Sequence, residues 1–179
     1  MTVGLRGLFQ QGKPDIVAVR AEEHRTEQVQ RDIYDSHRHR VFSVAFYMTG
    51  NEVHAENILT ETFVQAFNAA PEPDRSGIDQ ALISQLRARF EISPSTVGPE
   101  AAPAQSLERN IRRTELEEAL HQLPPTERLL FLLRDVEGYS LDQVSSLTEI
   151  SPRDASRTLM SARIRLRQIL AGTKANAAA

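Results

Sequence analysis

The stretch SLDQVSSLTEISPRDASRTLMSARIRLRQIL, residues 140–170, constrains the fold more than any other part of this chain. Val144, Leu147, Ile150, Ala155 and Leu159 are spaced to form one small apolar core between two short helices. Thr148, Glu149 and Ile150 make the tight link between them. Ser140 is placed to cap the first helix, over 141–148. Ser151-Pro152-Arg153-Asp154 is a strong start for the second. Ser151 can cap orphan amides, Pro152 fits the first turn, and Asp154 can complete a capping box while complementing the helix dipole. Ala155, Leu159, Ala162, Leu166 and Ile169 then point inward, leaving Arg153, Ser156, Arg157 and Met160 outward near the helix start. A helix-turn-helix offers the N-terminal residues of its second helix to the DNA major groove in this way. Arginine can fork to guanine or to phosphate. The same pattern also suits a helical hairpin whose arginines are merely solvated.

Charge bears on the choice. The chain carries a formal net charge of −3, whereas a compact nucleic-acid binder is usually basic. Its distribution points the other way. Acid gathers at Glu115, Glu117, Glu118, Asp135, Glu137, Asp142 and Glu149, and base at Arg153, Arg157, Arg163, Arg165 and Arg167, opposed in that stretch only by Asp154. A basic C-terminal helix on a mildly acidic chain is a local electrostatic footprint.

The rest of the chain reads as helix. Residues 21–70 hold two helices parted at Gly50-Asn51. Ile33, Val41, Val44, Ala45 and Met48 recur at helical spacing in the first. Ala55, Ile58, Leu59, Thr62, Phe63, Ala66 and Phe67 form one face of the second, over 53–69, which Pro71 and Pro73 stop. A third helix is predicted over 78–90. SPSTVGPEAAPAQS, residues 93–106, then breaks all periodicity and reads as a flexible linker. Further helices are predicted over 107–123, 126–136 (closed by Gly138), 141–148, and 152 to about 171. The expected fold class is all-α: two small helical domains, 21–92 and 107–171, joined by the linker, with the helix-turn-helix in the second.

Composition excludes several functions. Cysteine is absent, which removes disulfides, thiolate metal sites and cysteine nucleophiles and fits a reducing cytoplasm. No run of about 20 apolar residues could span a bilayer, and the N-terminal MTVGLRGLFQQGKPD is too short in apolar residues for a signal peptide. A cytoplasmic location without membrane insertion is expected. His37 and His39 lie two apart, on different faces of a helix, with no third ligand at metal spacing. Glu115, Glu117 and Glu118 suit a solvated face beside Arg112 and Arg113. Thr158 and Ser161 are hydroxyls that nothing in the sequence marks for modification. With no phosphate loop, nucleophile elbow or metalloprotease signature, neither an enzyme nor a cofactor or metal site is expected.

Residues 116–170 resemble the C-terminal domain of extracytoplasmic-function sigma factors. The resemblance is carried by the Leu-Pro-Pro-x-Glu-Arg step, the Leu-Leu-Arg-Asp-Val-Glu-Gly-Tyr-Ser run and the Ala-Arg-x-x-Leu-Arg ending. IYDSHRHRVFSVAFYMTGNEVHAENILTETFVQAF, residues 33–67, looks like the first two core helices of the sigma N-terminal domain. The resemblance implies a transcription initiation factor that binds RNA polymerase core at clamp and flap and directs it to promoter DNA. It implies Arg153, Ser156, Arg157, Met160 and Arg163 for DNA, with Arg163, Arg165 and Arg167 touching backbone or polymerase. It implies Glu56, Asn57, Thr60, Glu61 and Gln65 for the polymerase clamp, and admits an anti-sigma factor as partner.

There are three departures from the family pattern. Asn57 and Thr60 stand where the clamp-binding face usually has Asp and Gln. The third helix offers only Arg87, Arg89 and Phe90 where the family carries Trp, Asn and a basic run to read and melt the minus-ten element. Glu149 stands where the helix-turn-helix often has Gly, a position at which a left-handed backbone would strain any other residue. Two alternatives therefore stay open: a sigma-derived DNA-binding regulator that no longer opens promoters, and a module that mainly binds a partner such as an anti-sigma factor.

Overall fold

The computed structural model describes residues 16–93 and 112–177. Among them lie seven α-helices: α1 Ile16–Thr49, α2 Glu52–Ala69, α3 Arg75–Arg87, α4 Arg113–His121, α5 Pro125–Phe131, α6 Leu141–Thr148 and α7 Pro152–Ala177. The predicted linker lies outside the described residues apart from Ser93, and so does the first part of the helix predicted over 107–123.

Local chemistry sets the boundaries. Gly50, at φ +66, ends α1. Asn51 then caps α2, its Oδ1 accepting from the His54 amide at 3.0 Å. α3 starts three residues earlier than predicted because Asp74 caps it, accepting from Gly77 N–H at 2.8 Å. α5 begins at Pro125, which needs no amide partner in a first turn. α5 then passes into a π-helical turn, Leu132–Val136, rather than continuing as α-helix. The Glu137 amide donates to Leu132 O at 2.9 Å, five residues back. Gly138, at φ +75, closes it. α7 runs past the expected stop near 171, since the alanine-rich sequence there favours helix and Gly172 alone does not break it.

The apolar faces meet in one continuous core. Val41, Val44 and Met48 of α1, Ile58 and Phe63 of α2, and Ile78, Leu82 and Leu86 of α3 belong to the same buried cluster as Leu120, Leu129, Leu133, Val144, Leu159 and Leu166. Burying a side chain of this size is worth about 1.5–3 kcal/mol. The two helical halves are therefore docked, with α1 against α4 and α5, and α3 against α6.

Candidate nucleic-acid interface

The helix-turn-helix is built from α6 and α7. Ser140 Oγ accepts from the Gln143 amide at 3.1 Å while Gln143 Oε1 accepts from the Ser140 amide at 2.8 Å, a reciprocal cap on α6. Val144, Ile150, Ala155 and Leu159 are buried between the helices, and Leu147 packs against them. The turn is stapled by hydroxyls: Ser145 donates to Ile150 O at 2.6 Å, and Thr148 to Val144 O at 2.7 Å. Glu149 does take a left-handed backbone, φ 54 and ψ 22, at a cost of about 1–2 kcal/mol relative to glycine. Its carboxylate is not idle. It accepts from Arg87 Nη1 of α3 at 2.8 Å.

Ser151 caps α7, accepting from the Asp154 amide at 3.1 Å. The sequence suggested that Asp154 would reach back to a backbone amide. It accepts instead from the Ser151 hydroxyl, at 2.7 Å, and pairs with Arg157 at 3.5 Å. Its negative charge still lies in the first turn, where the helix dipole favours it. Arg153, Ser156, Arg157 and Met160 are exposed on the first turns, Met160 at 56%. The basic helix is less free than its sequence suggests. Arg163 makes a two-pronged pair with Asp135, at 2.8 and 2.6 Å. Arg165 lies 3.2 Å from Glu127, a carboxylate only 1% exposed that also accepts from Ser161 at 2.7 Å. Arg167 is exposed. Thr158 and Ser161 are both buried.

The α2 residues assigned to the polymerase clamp share a solvent-facing side. Glu56, Asn57 and Thr60 are exposed. Glu61 pairs with Arg89, and Gln65 Oε1 accepts from Gln85 Nε2 at 2.9 Å. Sequence reasoning missed Val53 and Val64, exposed at 65% and 56%. They fall on one stripe with Asn57 and Thr60, at steps of four, three and four. An apolar residue left in water along a helix face is the signal that would have found them.

The polar joints that tie the halves together include three built on arginine or tyrosine side chains, beside the Thr126 hydroxyl, which donates to Glu91 O at 3.4 Å. At the first, Tyr139, 4% exposed, donates to Asp79 Oδ2 at 2.6 Å and accepts from Arg40 Nη1 at 2.7 Å. Arg40 also pairs with Asp79. The Arg75 guanidinium lies over the Tyr139 ring, 4.8 Å from its centroid. Burial, then the Asp79 hydrogen bond, pushes the Tyr139 phenol up to about 12. His37, beside this cluster, is held below the usual histidine range by burial and by the Arg40 charge. At the second joint, buried Arg128 donates to Met48 O at 2.7 Å, His121 O at 2.7 Å, Leu123 O at 3.0 Å and His121 Nδ1 at 3.1 Å. Burial depresses the Arg128 guanidinium, and burial with the Arg128 charge depresses His121. The third joint is Arg87, which donates to Glu149 and to the carbonyl of Thr148.

Among the described residues no group of three or more His, Asp or Glu side chains could hold a metal ion. Nor is any helix long and apolar enough to cross a membrane. Glu115 and Glu117 pair with Arg112 and Arg113, at 3.2 and 2.7 Å, but the Glu115 side chain is only 10% exposed and Glu117 is half-buried, so of the three acids expected on a solvated face only Glu118 is exposed.

A capped α7 packed across the short stapled α6 defines the helix-turn-helix class of domain, and the family model "Sigma-70, region 4" matches residues 113–166. An extracytoplasmic-function RNA polymerase sigma factor, SigE of Mycolicibacterium smegmatis, is 24% identical over 157 residues. That alignment covers 78% of this chain but only 61% of the relative's own length. A solved structure of the sigma factor RpoE with the anti-sigma factor NepR, from Bartonella quintana, shares the fold: TM-score 0.54 at 16% identity, over 84% of this chain and 97% of that one. Residues 113–166 therefore carry a sigma-70 region 4 domain.

Proposed function

We propose that this chain is a transcription initiation factor that binds RNA polymerase core and directs it to promoter DNA, with no catalysis of its own. The carrying observation is the row of Arg153, Ser156, Arg157 and Met160, exposed on the first turns of a capped α7 behind a stapled turn. Arg153 and Arg157 are assigned to base edges or phosphates, Ser156 to a polar base edge, and Met160 to an apolar one such as the thymine methyl. Arg163 is assigned to phosphate, which it reaches once released from Asp135. Glu56, Asn57, Thr60, Glu61 and Gln65, joined by Val53 and Val64, form the clamp-binding face in this proposal, and the C-terminal half meets the flap. An anti-sigma factor is a further partner in this proposal, by analogy with the structural relative solved together with one. The site of action is the cytoplasm, where polymerase and promoter are.

Run-off transcription with core polymerase, on promoters taken from a binding selection, tests this function. A folded chain that yields no transcript on any of them overturns it.

One observation favours a regulator that does not open promoters. The cations of α3 and of the turn that follows it are already engaged, Arg75 by Tyr139 and Asp79, Arg87 by the turn of the helix-turn-helix, and Arg89 by Glu61 and Gln85. With no tryptophan anywhere in the chain, α3 has little with which to capture unstacked bases. A permanganate footprint showing melted DNA would rule that version out.

A further inference from the structure

Glu127, in the first turn of α5, is a carboxylate only 1% exposed. Just one of its oxygens is engaged. Oε1 accepts from Ser161 Oγ at 2.7 Å and lies 3.2 Å from Arg165 Nε. Oε2 is buried with no hydrogen-bond partner among the described residues. A buried ion pair seldom gains stability over apolar residues of like volume, and half of this carboxylate is unused. What the group supplies is direction. Ser161 and Arg165 stand one turn apart on α7. Counting about 100° per residue, Ser161 lies roughly 40° round the helix from Arg157, and Arg165 roughly 80°. Both sit on the flank between the recognition row and the buried face, where a hold has most leverage over rotation of the helix about its own axis. Packing alone fixes that rotation weakly here. Of the buried α7 residues within one turn of Ser161, Thr158 and Ala162 are small and only Leu159 is large.

We infer that Glu127 is a positioning residue for DNA reading: through Ser161 and Arg165 it sets the roll of α7, and so the register of Arg153, Ser156, Arg157 and Met160 against base edges. This rests on the proposed function above. A roll of about 20° moves side-chain tips, roughly 5–6 Å from the helix axis, by about 2 Å. A hydrogen bond to a base edge does not survive that displacement. Attraction to phosphate is set by charge rather than by fine geometry, and it does survive. Loss of the hold therefore costs discrimination between sequences, not attraction to DNA.

The test uses the full chain, a duplex taken from a binding selection and a scrambled duplex of equal length, titrated at several salt concentrations. Glu127→Met with Ser161→Ala replaces the polar contacts by apolar volume. Preference for the selected duplex should fall roughly tenfold, the scale of one lost base contact. Binding to the scrambled duplex should be equal or tighter, and the denaturant midpoint equal or higher. Glu127→Gln loses the same charge but keeps an oxygen for Ser161, and its amide nitrogen falls where Oε2 has no bond to lose. It should hold the parent preference within about twofold. The proposal is overturned by an apolar variant that keeps its preference, by a Gln variant that loses as much, or by equal weakening on both duplexes with lost stability. If the apolar variant does not fold, Ser161→Ala alone decides, since it changes no charge. Its preference should fall about three- to fivefold, the scale of one hydrogen bond, and an unchanged preference overturns the hold. A second arm needs no DNA. Because the chain has no native cysteine, Ser146→Cys on α6 and Gln168→Cys on α7, both at exposed positions, take nitroxide spin labels. The distance distribution should be narrow in the parent and in Glu127→Gln, and broader in the apolar variant or, where that does not fold, in Ser161→Ala. Equal widths overturn the proposal. If the parent prefers no duplex at all, the proposed function fails, while the widths still judge the hold on α7.

Discussion

Arg128 donates to the carbonyl of Met48 across 2.7 Å, so that a buried cation from the C-terminal half closes the end of the first helix. The last carbonyls of a helix have no partner within it. Here one of them is satisfied from eighty positions away, by a guanidinium that also holds the His121 and Leu123 carbonyls. Arg128→Ala would orphan two buried acceptors and a partly buried one at once, each worth about 1–3 kcal/mol when fully buried. Partial access of water tempers the sum to a loss of about 3–5 kcal/mol. Arg128→Lys, which keeps the charge but loses the fork, should lose less. Denaturant midpoints measured at constant slope would check the order.

Acid should loosen the same joint. Arg128 Nη1 is a donor only, so His121 Nδ1 must accept and the ring is neutral in the folded state. Both His121 and His37 are depressed below the usual histidine value of about 6.5, by burial first and then by neighbouring arginines. Below pH 6.5 the unfolded chain therefore binds more protons than the folded one. Stability contributed by these groups is complete above that pH and is lost as pH falls toward their folded-state values. Urea unfolding at a series of pH values should show this slope. It should shrink in His121→Gln, whose amide oxygen can still accept from Arg128, and shrink again with His37→Gln.

The turn at Glu149 makes a prediction that separates backbone from side chain. Glu149→Ala keeps the left-handed strain and loses the Arg87 pair, so it destabilises. Glu149→Gly loses the same pair but relieves the strain, and should be more stable than the alanine variant by about 1 kcal/mol. Thermal or chemical denaturation of the two variants side by side is the measurement. Equal stabilities would mean that the backbone there is not held at positive φ.

On DNA, Arg153→Ala and Arg157→Ala should each cost ~1–3 kcal/mol and relax sequence preference at one position. Arg163→Ala should cost less, because Asp135 already holds that guanidinium. Its loss should be uniform across sequences, lowering the salt slope by about one. Mobility shifts at several salt concentrations distinguish the two behaviours. If neither Arg153→Ala nor Arg157→Ala weakens binding, the recognition helix has been misplaced.

The helix-turn-helix was legible because every local signal agreed. Ser140 and Ser151 cap, Pro152 starts, and Val144, Ile150, Ala155 and Leu159 bury on one seam. Helical spacing likewise located α1 and α2. What stayed hidden was pairing over long distances. Nothing near Arg163 in sequence names Asp135 as its partner, and nothing near Tyr139 names Asp79. An arginine-rich face looks solvated or DNA-facing until the opposing acids are placed, which is why Arg163 and Arg165 seemed freer than they are. The cap at Asp74 was readable, following Pro73, but the apolar rhythm drew the predicted start of α3 three residues too far along. Docking of the halves was not readable, because an apolar face does not say which of several neighbours it will cover.

The π-helical turn at Leu132–Val136 sets a rule of another kind. A π turn is an α-helix holding one residue more than its pitch allows, and an α-helix turns roughly 100° per residue. The spare residue fixes the azimuth at which Gly138 and Tyr139 leave the helix, and so whether the phenol arrives at Asp79. Along this segment the number of residues is under tighter control than their identity. Conservative exchanges are tolerable, whereas deleting a single position would wind the segment back to plain α-helix and swing Tyr139 away from its partners in the other half.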